Sequence, residues 1–299
     1  MSRKNSKAPS AGLSEVFDAG VSRTTQAQRR PGVAARTAKL AGLGVIAGAV
    51  VAAGLLPAAA VGIAATGAVH NEWENQPSTI PAPSLPGRTK LLTADGKKVA
   101  EVFSTNRVPV AAEQQGTWIR KAVVAVEDAR FYKHSGVDPI GTVRALVATG
   151  GGDSVQGGST ITQQYAKNLR LTQAAIEAGG EATEQTRDAL TERSWKRKIA
   201  EAHLATLIEK TTSKEDILTG YLNVGYFGSG AYGVQSAARR YYSTDATKLT
   251  LSQAATLAGV LQSPVSLDPR LNPERTLIRR AQVLNAMAAQ GMVTPAEAA

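Results

Sequence analysis

Residues 123–138 read VVAVEDARFYKHSGVD. The apolar residues Val123 to Val126 lead directly into two acids, Glu127 and Asp128. We interpret residues 117–132 as an apolar helix that carries the two carboxylates at its end. The carboxyl end of a helix bears partial negative charge and favours Lys or Arg. Two adjacent acids at this position are therefore candidates for a functional role.

Composition and charge narrow the classes of protein. The chain has 299 residues, of which 43% are apolar, so a sizeable core is available. The net charge is +10, and residues 1–39 contribute +6 of it through eight Lys or Arg side chains against two acids. Because the excess charge lies mostly in this tail, we predict no nucleic-acid partner. The lack of cysteine excludes a disulfide scaffold, a thiolate metal site and a cysteine nucleophile.

An uncharged segment separates the basic tail from the rest of the chain. Residues 40–69 carry no charge over thirty positions, and a membrane-spanning helix needs roughly 20 such residues. A signal peptide has a shorter apolar run, and a buried soluble helix of this length is unusual. Basic residues before the span and Glu72 and Glu74 after it orient a single pass through the cell membrane with the N-terminus in the cytoplasm. The predicted regions are a cytoplasmic disordered tail (1–39), a transmembrane helix (40–69), a Pro-rich linker (70–87) and an extracytoplasmic domain (88–299).

A turn signal marks the start of the domain. Asp95 and Gly96 lie between two short runs of strand-forming residues, which predicts a β-hairpin. From about residue 117 onward the pattern is helical, without a further clear strand. After the helix at 117–132, helices are predicted at about 138–149, 160–171, 193–210, 213–223, 251–262 and 274–290.

Two pairs of polar residues have the spacing of helix caps. Thr160 precedes Gln163 by three positions, and Ser213 precedes Asp216 by three, so each pair is predicted to begin a helix. The polar, Ala-rich stretch 172–191 lies between them. We interpret it as a flexible or loosely helical insertion.

Two glutamates are candidates for chemistry. Glu127, at the end of an apolar helix, is expected to be partly desolvated, which raises the pKa of a carboxylate towards the range of a general base. Glu201 follows Arg197 by four positions and Lys198 by three, and these spacings bring cations against it on a helix. The alternatives are an ordinary surface carboxylate for Glu127 and a solvated ion-pair network for Glu201.

The segment GGSTITQQYAKN, residues 157–168, combines a helix start with a cation. A helix N-terminus after two glycines offers free N–H groups to an anion. Lys167 and Asn168 follow about two turns later and add a cation and an amide. Taken alone, the segment could equally be a well-capped helix.

The order of the motifs is more specific than any one of them. EDARFYKHSGVD, GGSTITQQYAKN, RKIAE, KEDILTGYLN and the pattern R..VL..M...G follow one another along the chain. This series closely resembles the peptidoglycan glycosyltransferase domain, family 51, which forms the N-terminal part of class A penicillin-binding proteins. The resemblance covers about residues 85–299, and the lead-in SLPGRTKLLTADGKKVAEVF resembles the actinobacterial branch. It implies a mainly α, lysozyme-like helical glycosyltransferase domain with a short β-hairpin lead-in, preceded by one transmembrane helix.

The resemblance also implies a reaction and its residues. The family's first-motif glutamate matches Glu127, the general base for the acceptor sugar's 4-hydroxyl in lipid II. Family cations that face the leaving diphosphate match Lys167, Arg193 and Lys198. The third-motif glutamate matches Glu201, which would orient those cations or a metal. Other positions expected to bind substrate or shape the cleft are Asp128, Phe131, His134, Ser159, Thr160, Gln163, Gln164, Asn168, Arg197 and Asn223.

Some implied roles stay open. Lys167 and Glu201 are 34 positions apart because of the 172–191 insertion, which leaves the match of Arg193 open. His134 is favoured as a hydrogen-bonded structural residue, and no separate chemical task is assigned to Asp128. No cofactor is assigned, although Mg²⁺ or Mn²⁺ at the diphosphate is compatible with the resemblance.

The expected partners are lipid II, the nascent glycan strand, the cell membrane and proteins of cell-wall synthesis or division. No S-x-x-K motif followed by S-x-N and K-T-G occurs, so a transpeptidase domain is predicted to be absent from these residues, and the sequence leaves open whether one follows Ala299. Two alternatives are a lysozyme-like glycan-cleaving enzyme and an inert, membrane-anchored cell-wall binding module.

Overall fold

Helices make up most of the structure, a computed structural model that describes residues 66–81, 84–141, 158–179, 184–192 and 194–299. A helical segment at 66–74 precedes the domain. The helices that follow are α1 (Thr117–Glu127), α2 (Ile161–Glu177), α3 (Glu184–Thr191), α4 (Trp195–Thr211), α5 (Lys214–Val224), α6 (Val234–Tyr242), α7 (Leu251–Val260), α8 (Pro273–Ala289) and α9 (Pro295–Ala298).

A β-hairpin leads into the helices, as the sequence predicts. Strands β1 (Thr89–Leu92) and β2 (Lys98–Val102) pair antiparallel, and Gly96 in the connecting turn has a φ of 79°, which glycine adopts without steric cost. A second pair of strands, β3 (Asn106–Arg107) and β4 (Ala231–Tyr232), is parallel and was not predicted. Each has two residues, too short to show a period of two.

The helices pack in two groups that meet at the ends of α1 and α2. Helix α7 is buried from Ala254 to Val260 and packs against α1 and α8. Helix α2 packs against α4 and α5. Large buried side chains such as Ile119 on α1, Ile161 on α2 and Leu218 on α5 belong to one continuous apolar core. This arrangement brings the carboxyl end of α1 next to the amino end of α2.

Helix α1 is shorter than predicted. It ends at Glu127, and Asp128 has φ −157° and ψ 77°, which is not helical. A single 3₁₀ turn, Phe131–Lys133, follows where the helix was expected to continue. The Asp128 carboxylate accepts a hydrogen bond from the backbone N–H of Ile161. Because this bond joins two segments distant in sequence, local helical periodicity does not reveal it.

The 172–191 stretch is more helical than predicted. Helix α2 continues to Glu177 instead of ending near Leu171, and α3 occupies Glu184–Thr191. Thr172 is buried, and the alanines that follow have high helix propensity. Composition suggested a loose insertion, but the alanines extend a helix that is already packed against α4 and α5.

Several predicted features lie outside the described residues. These are the tail, nearly all of the 40–69 span, the 138–149 helix beyond its first turn, and Arg193. Within the described ranges, no helix combines the length and apolarity needed to cross a membrane.

Candidate active site

Glu127 is the last residue of α1 and faces the start of α2. Its Oε2 accepts a hydrogen bond of 2.9 Å from the side-chain amide of Gln164. Its Oε1 is buried and has no hydrogen-bond partner among the described residues. Burial raises the pKa of Glu127 above the usual value of 4.5, and the Gln164 hydrogen bond offsets part of this rise. A carboxylate with a raised pKa and one free oxygen is suited to accept a proton.

The start of α2 is held by the predicted cap. The Thr160 hydroxyl accepts from the backbone N–H of Gln163, and the Gln163 side chain accepts from the N–H of Thr160. The same hydroxyl donates to the carbonyl oxygen of Gly136 at 2.6 Å. Thr160 and Gln163 therefore position the helix that carries Gln164, and neither donates a hydrogen bond to the Glu127 oxygens among the described residues.

Asp128 and His134 connect the first motif to this helix. The Asp128 carboxylate accepts from the backbone N–H of Ile161 at 3.0 Å and from His134 Nε2 at 3.0 Å. Both side chains are only 4% exposed. Asp128, which had no assigned task, thus holds the amino end of α2 against the carboxyl end of α1.

We expect Asp128→Ala to lower the free energy of unfolding by about 3 kcal/mol, because it leaves the Ile161 N–H and the His134 ring without their buried partner. Asp128→Asn should lose less, since its amide oxygen still accepts from Ile161. Urea denaturation followed by circular dichroism measures both values. A loss for Asp128→Ala as small as that for Asp95→Ala, at an exposed hairpin position, would contradict this role.

A second cluster surrounds Glu201 on α4. Glu201 is 2% exposed, and its two oxygens accept from Arg197 Nη1 and from Lys198 Nζ, the latter at 2.9 Å. Lys198 also donates to the Ser159 hydroxyl at 2.6 Å. Glu201 therefore holds two cations beside the start of α2, at the spacings read from the sequence.

Lys167 lies on α2 between the two glutamates. Burial lowers its pKa, whereas the negative charges of Glu201 and Glu127 act in the opposite direction. Among the described residues its ammonium has no hydrogen bond or ion pair. A partly buried cation without a partner, next to Arg197 and Lys198, favours the binding of an anion.

A pocket of about 240 Å³ opens beside Glu127. Its walls come from the end of α1, from Asp128 and from Ser159, so it joins the carboxylate to the residue that contacts Lys198. A group in this pocket would contact Glu127 directly, whereas Lys167, Arg197 and Lys198 lie outside its lining.

Two of the predicted site residues make no hydrogen bond to this cluster among the described residues. Both amide atoms of Asn223 are used by the backbone of Val110, at 3.1 and 2.9 Å, so Asn223 fastens α5 to the segment before α1. Asn168 is partly exposed on α2 without a side-chain hydrogen bond among the described residues. Arg193 lies outside the described part of the chain.

The structure adds two residues that the sequence analysis did not select. The hydroxyl of Tyr221, within the motif KEDILTGYLN, donates to the Gln164 side chain at 3.0 Å. Arg279 on α8 is close enough for its positive charge to lower the pKa of Glu127. A Cβ on Gly259 of α7 would lie 2.8 Å from the Arg279 Cγ, so the glycine leaves room for the arginine.

We expect Arg279→Gln to raise the pKa of Glu127, because a nearby cation favours the ionised carboxylate. If Glu127 acts as the base that the sequence predicts, the acid side of the pH profile of kcat/KM should then move to higher pH, because the carboxylate must be deprotonated to accept a proton. Arg275→Gln removes the same charge one turn earlier, at an exposed position, and should leave the profile in place. Identical profiles for wild type and Arg279→Gln would contradict an effect on Glu127.

The described residues do not fit a Mg²⁺ or Mn²⁺ site. Both oxygens of Glu201 already accept from cations, and the groups nearest to it are Arg and Lys side chains, which repel a divalent ion. No cluster of acidic or histidine side chains suited to a metal occurs in the ranges that the structure describes.

Comparisons with known proteins agree with these features. The family model described as Transglycosylase matches residues 95–288. Penicillin-binding protein 1A/1B of Bacillus subtilis is 38% identical over 225 residues, covering 72% of this chain and 23% of that protein. Penicillin-binding protein 1A of Aquifex aeolicus is 39% identical over 211 residues (70% and 27%), and that of Escherichia coli is 38% identical over 206 (69% and 22%).

The chain spans about a quarter of the length of these relatives. The matched part of this chain nevertheless contains both glutamates, the cation cluster and the residues that position them. The chain therefore belongs to the transglycosylase family, the peptidoglycan glycosyltransferase family 51 that its motifs resemble.

Proposed function

We propose that this protein is a peptidoglycan glycosyltransferase that polymerises lipid II into β-1,4-linked glycan strands, with inversion and release of undecaprenyl diphosphate. One observation carries the proposal. Glu127 has a buried oxygen without a hydrogen-bond partner, and the cation Lys167 nearby has no ion pair with an acidic side chain among the described residues. A sugar hydroxyl that attacks as a nucleophile needs the carboxylate to accept its proton, and a diphosphate leaving group needs the cations to neutralise its charge.

In the proposed reaction Glu127 Oε1 takes the proton of the acceptor's 4-hydroxyl. The hydroxyl oxygen forms a bond to the anomeric carbon of the donor glycan while the bond from that carbon to the diphosphate oxygen breaks. The electron pair leaves with the diphosphate, so the displacement occurs in one step and inverts the anomeric centre. The Glu127 proton is later released to water.

The cations would stabilise the departing diphosphate. Lys167 offers an ammonium without a partner, and Lys198 and Arg197 are held in place by Glu201. A diphosphate is stable as an anion and needs charge neutralisation more than a proton. One base and a cation cluster are therefore sufficient, and a second carboxylic acid is not needed.

The substrate suggests where the protein works. A lipid-linked sugar is confined to the membrane, and the uncharged 40–69 segment followed by an extracytoplasmic domain would place the site next to it. We therefore propose a single-pass protein of the cell membrane, with lipid II and the nascent strand as substrates and proteins of cell-wall synthesis or division as partners.

Glycan cleavage is the second candidate, because a helical domain with a buried glutamate also suits a hydrolase. A hydrolase that cleaves between sugars has no diphosphate to neutralise, so the unpartnered Lys167 would have no role in it. This residue favours transfer from a lipid diphosphate over cleavage.

Incubation of the full chain in detergent with labelled lipid II, with products separated by size, tests the proposal. We expect long glycan strands and release of undecaprenyl diphosphate. Unchanged lipid II together with cleavage of preformed glycan would reject it in favour of the hydrolase.

A further inference from the structure

We propose that Tyr221 is a positioning residue that fixes the orientation of the Gln164 amide, so that Oε1 of Glu127 is the oxygen left to take the acceptor's proton. The inference rests on the proposed function for its catalytic meaning. The effect of Tyr221 on the pKa of Glu127, which acts through Gln164, can be measured separately from activity.

Three side chains form a chain of hydrogen bonds from the core to the site. The Tyr221 hydroxyl donates to Gln164 Oε1 at 3.0 Å, and Gln164 Nε2 donates to Glu127 Oε2 at 2.9 Å. Tyr221 is 1% exposed, so water does not compete for its hydroxyl. Glu127 Oε1, at the end of the chain, has no partner among the described residues.

The direction of each bond follows from the groups themselves. An ionised carboxylate only accepts hydrogen bonds, so the amide must turn its NH₂ group towards Glu127. Its carbonyl oxygen then faces Tyr221, which must donate. Burial and the nearby Glu127 charge raise the pKa of Tyr221 well above its usual value, so the hydroxyl keeps the proton that it donates.

Close helix packing makes this contact possible. Tyr221 lies on α5 and Gln164 on α2, and Gly220 is where the two helices approach each other. A Cβ at position 220 would lie 2.5 Å from the hydroxyl oxygen of Tyr165. A residue larger than glycine would press against the Tyr165 ring, which lies on the same helix as Gln164.

Without the tyrosine hydroxyl, only the Glu127 carboxylate favours this orientation of the Gln164 amide, so flipped and displaced amides become more frequent. A flipped amide would direct its carbonyl oxygen at the Glu127 carboxylate and repel the ionised form. The other charges that act on Glu127 would be unchanged: Lys167 from α2, Arg279 from α8 and the adjacent Asp128. The expected result is a higher pKa for Glu127 and the loss of the hydrogen bond that Gln164 donates to its Oε2.

Tyr221→Phe in the full chain tests this inference. We expect kcat for polymerisation to fall about tenfold, the size of one lost hydrogen bond, with KM within about twofold and the acid side of the pH profile displaced to higher pH. Tyr165→Phe is the matched control, because it removes a hydroxyl from the same helix pair that makes no hydrogen bond among the described residues. It should leave kcat and the profile unchanged.

A double-mutant cycle separates positioning from general loosening of the structure. On a Gln164→Ala background, Tyr221→Phe should cause no further loss of kcat, because the hydroxyl acts only through the amide. An equal loss on both backgrounds, or an unchanged pH profile in Tyr221→Phe, would overturn the inference.

A readout without substrate keeps this proposal distinct from the proposed function. The pKa of Glu127, followed by ¹³C NMR of its side-chain carboxyl, should be higher in Tyr221→Phe than in wild type and in Tyr165→Phe. If the pKa of Glu127 differs among the three proteins as expected but the wild type forms no glycan, the proposed function is rejected and the positioning role is supported. Equal pKa values in all three proteins would reject the positioning role whatever the activity.

Discussion

Glu127→Gln is expected to abolish glycan formation from lipid II, with a fall in kcat of about 10²- to 10⁴-fold, the usual contribution of a general base. Glutamine has nearly the same shape as glutamate but cannot take a proton from the acceptor hydroxyl. The hydrogen bond from Gln164 to Oε2 can be kept by the new amide oxygen, so the geometry of the site should survive. Rates of polymer formation at saturating lipid II measure the effect.

Stability provides the control for this variant. The folded-state pKa of Glu127 is raised, so between the unfolded and folded pKa values the folded protein binds more protons than the unfolded chain. Stability from this group therefore falls as pH rises through that window. We expect Glu127→Gln to be more stable than wild type at neutral pH and no more stable at a pH below 4.5. Wild-type rates of polymerisation by the folded variant would show that Glu127 is not the general base.

Lys167→Ala should lower kcat about 10²- to 10³-fold, comparable to the loss of one preorganised charge-stabilising group. Its ammonium is the part of the cation cluster that no described carboxylate binds directly, so it is free to contact the diphosphate. Because charge on the diphosphate grows as the bond breaks, the loss should appear mainly in kcat and less in KM. Steady-state kinetics with lipid II separate the two.

Lys210→Ala is the matched control, since it removes the same charge from the exposed last turn of α4. It should behave like wild type. Lys167→Ala also distinguishes the two candidate functions, because a hydrolase would keep its activity on preformed glycan without this cation. Unchanged polymerisation by Lys167→Ala would contradict the assignment of Lys167 to the diphosphate. Full cleavage of preformed glycan by this variant would favour the hydrolase.

Local signals in the sequence were sufficient for much of the fold. The Thr160–Gln163 and Ser213–Asp216 caps begin the helices where they were predicted, because capping depends on residues three positions apart. The Asp95–Gly96 turn likewise closes the predicted hairpin. Helix ends were less predictable: α1 stops at Glu127 because Asp128 binds a backbone group 33 positions later.

The site was predictable in its charges and less so in its contacts. The spacing of Arg197 and Lys198 to Glu201 on one helix made their contacts foreseeable. The effect of Arg279 on Glu127 was not, because it depends on how α8 packs against α1 and α7, and on a helix surface an arginine reads as an ordinary solvated charge. The Tyr221 hydrogen bond to Gln164 was hidden for the same reason.

The anomeric configuration of the bond that the wild-type protein forms between two lipid II units is the most direct measurement of the proposed mechanism, and NMR of the disaccharide linkage determines it. If Glu127 acts as a base in a single displacement, the product is β-linked and one undecaprenyl diphosphate is released for each new bond. A product that retains the donor's α configuration would require either a covalent intermediate on the protein or attack from the side of the leaving group. That result would contradict a mechanism in which Glu127 takes a proton and the cations stabilise the leaving diphosphate.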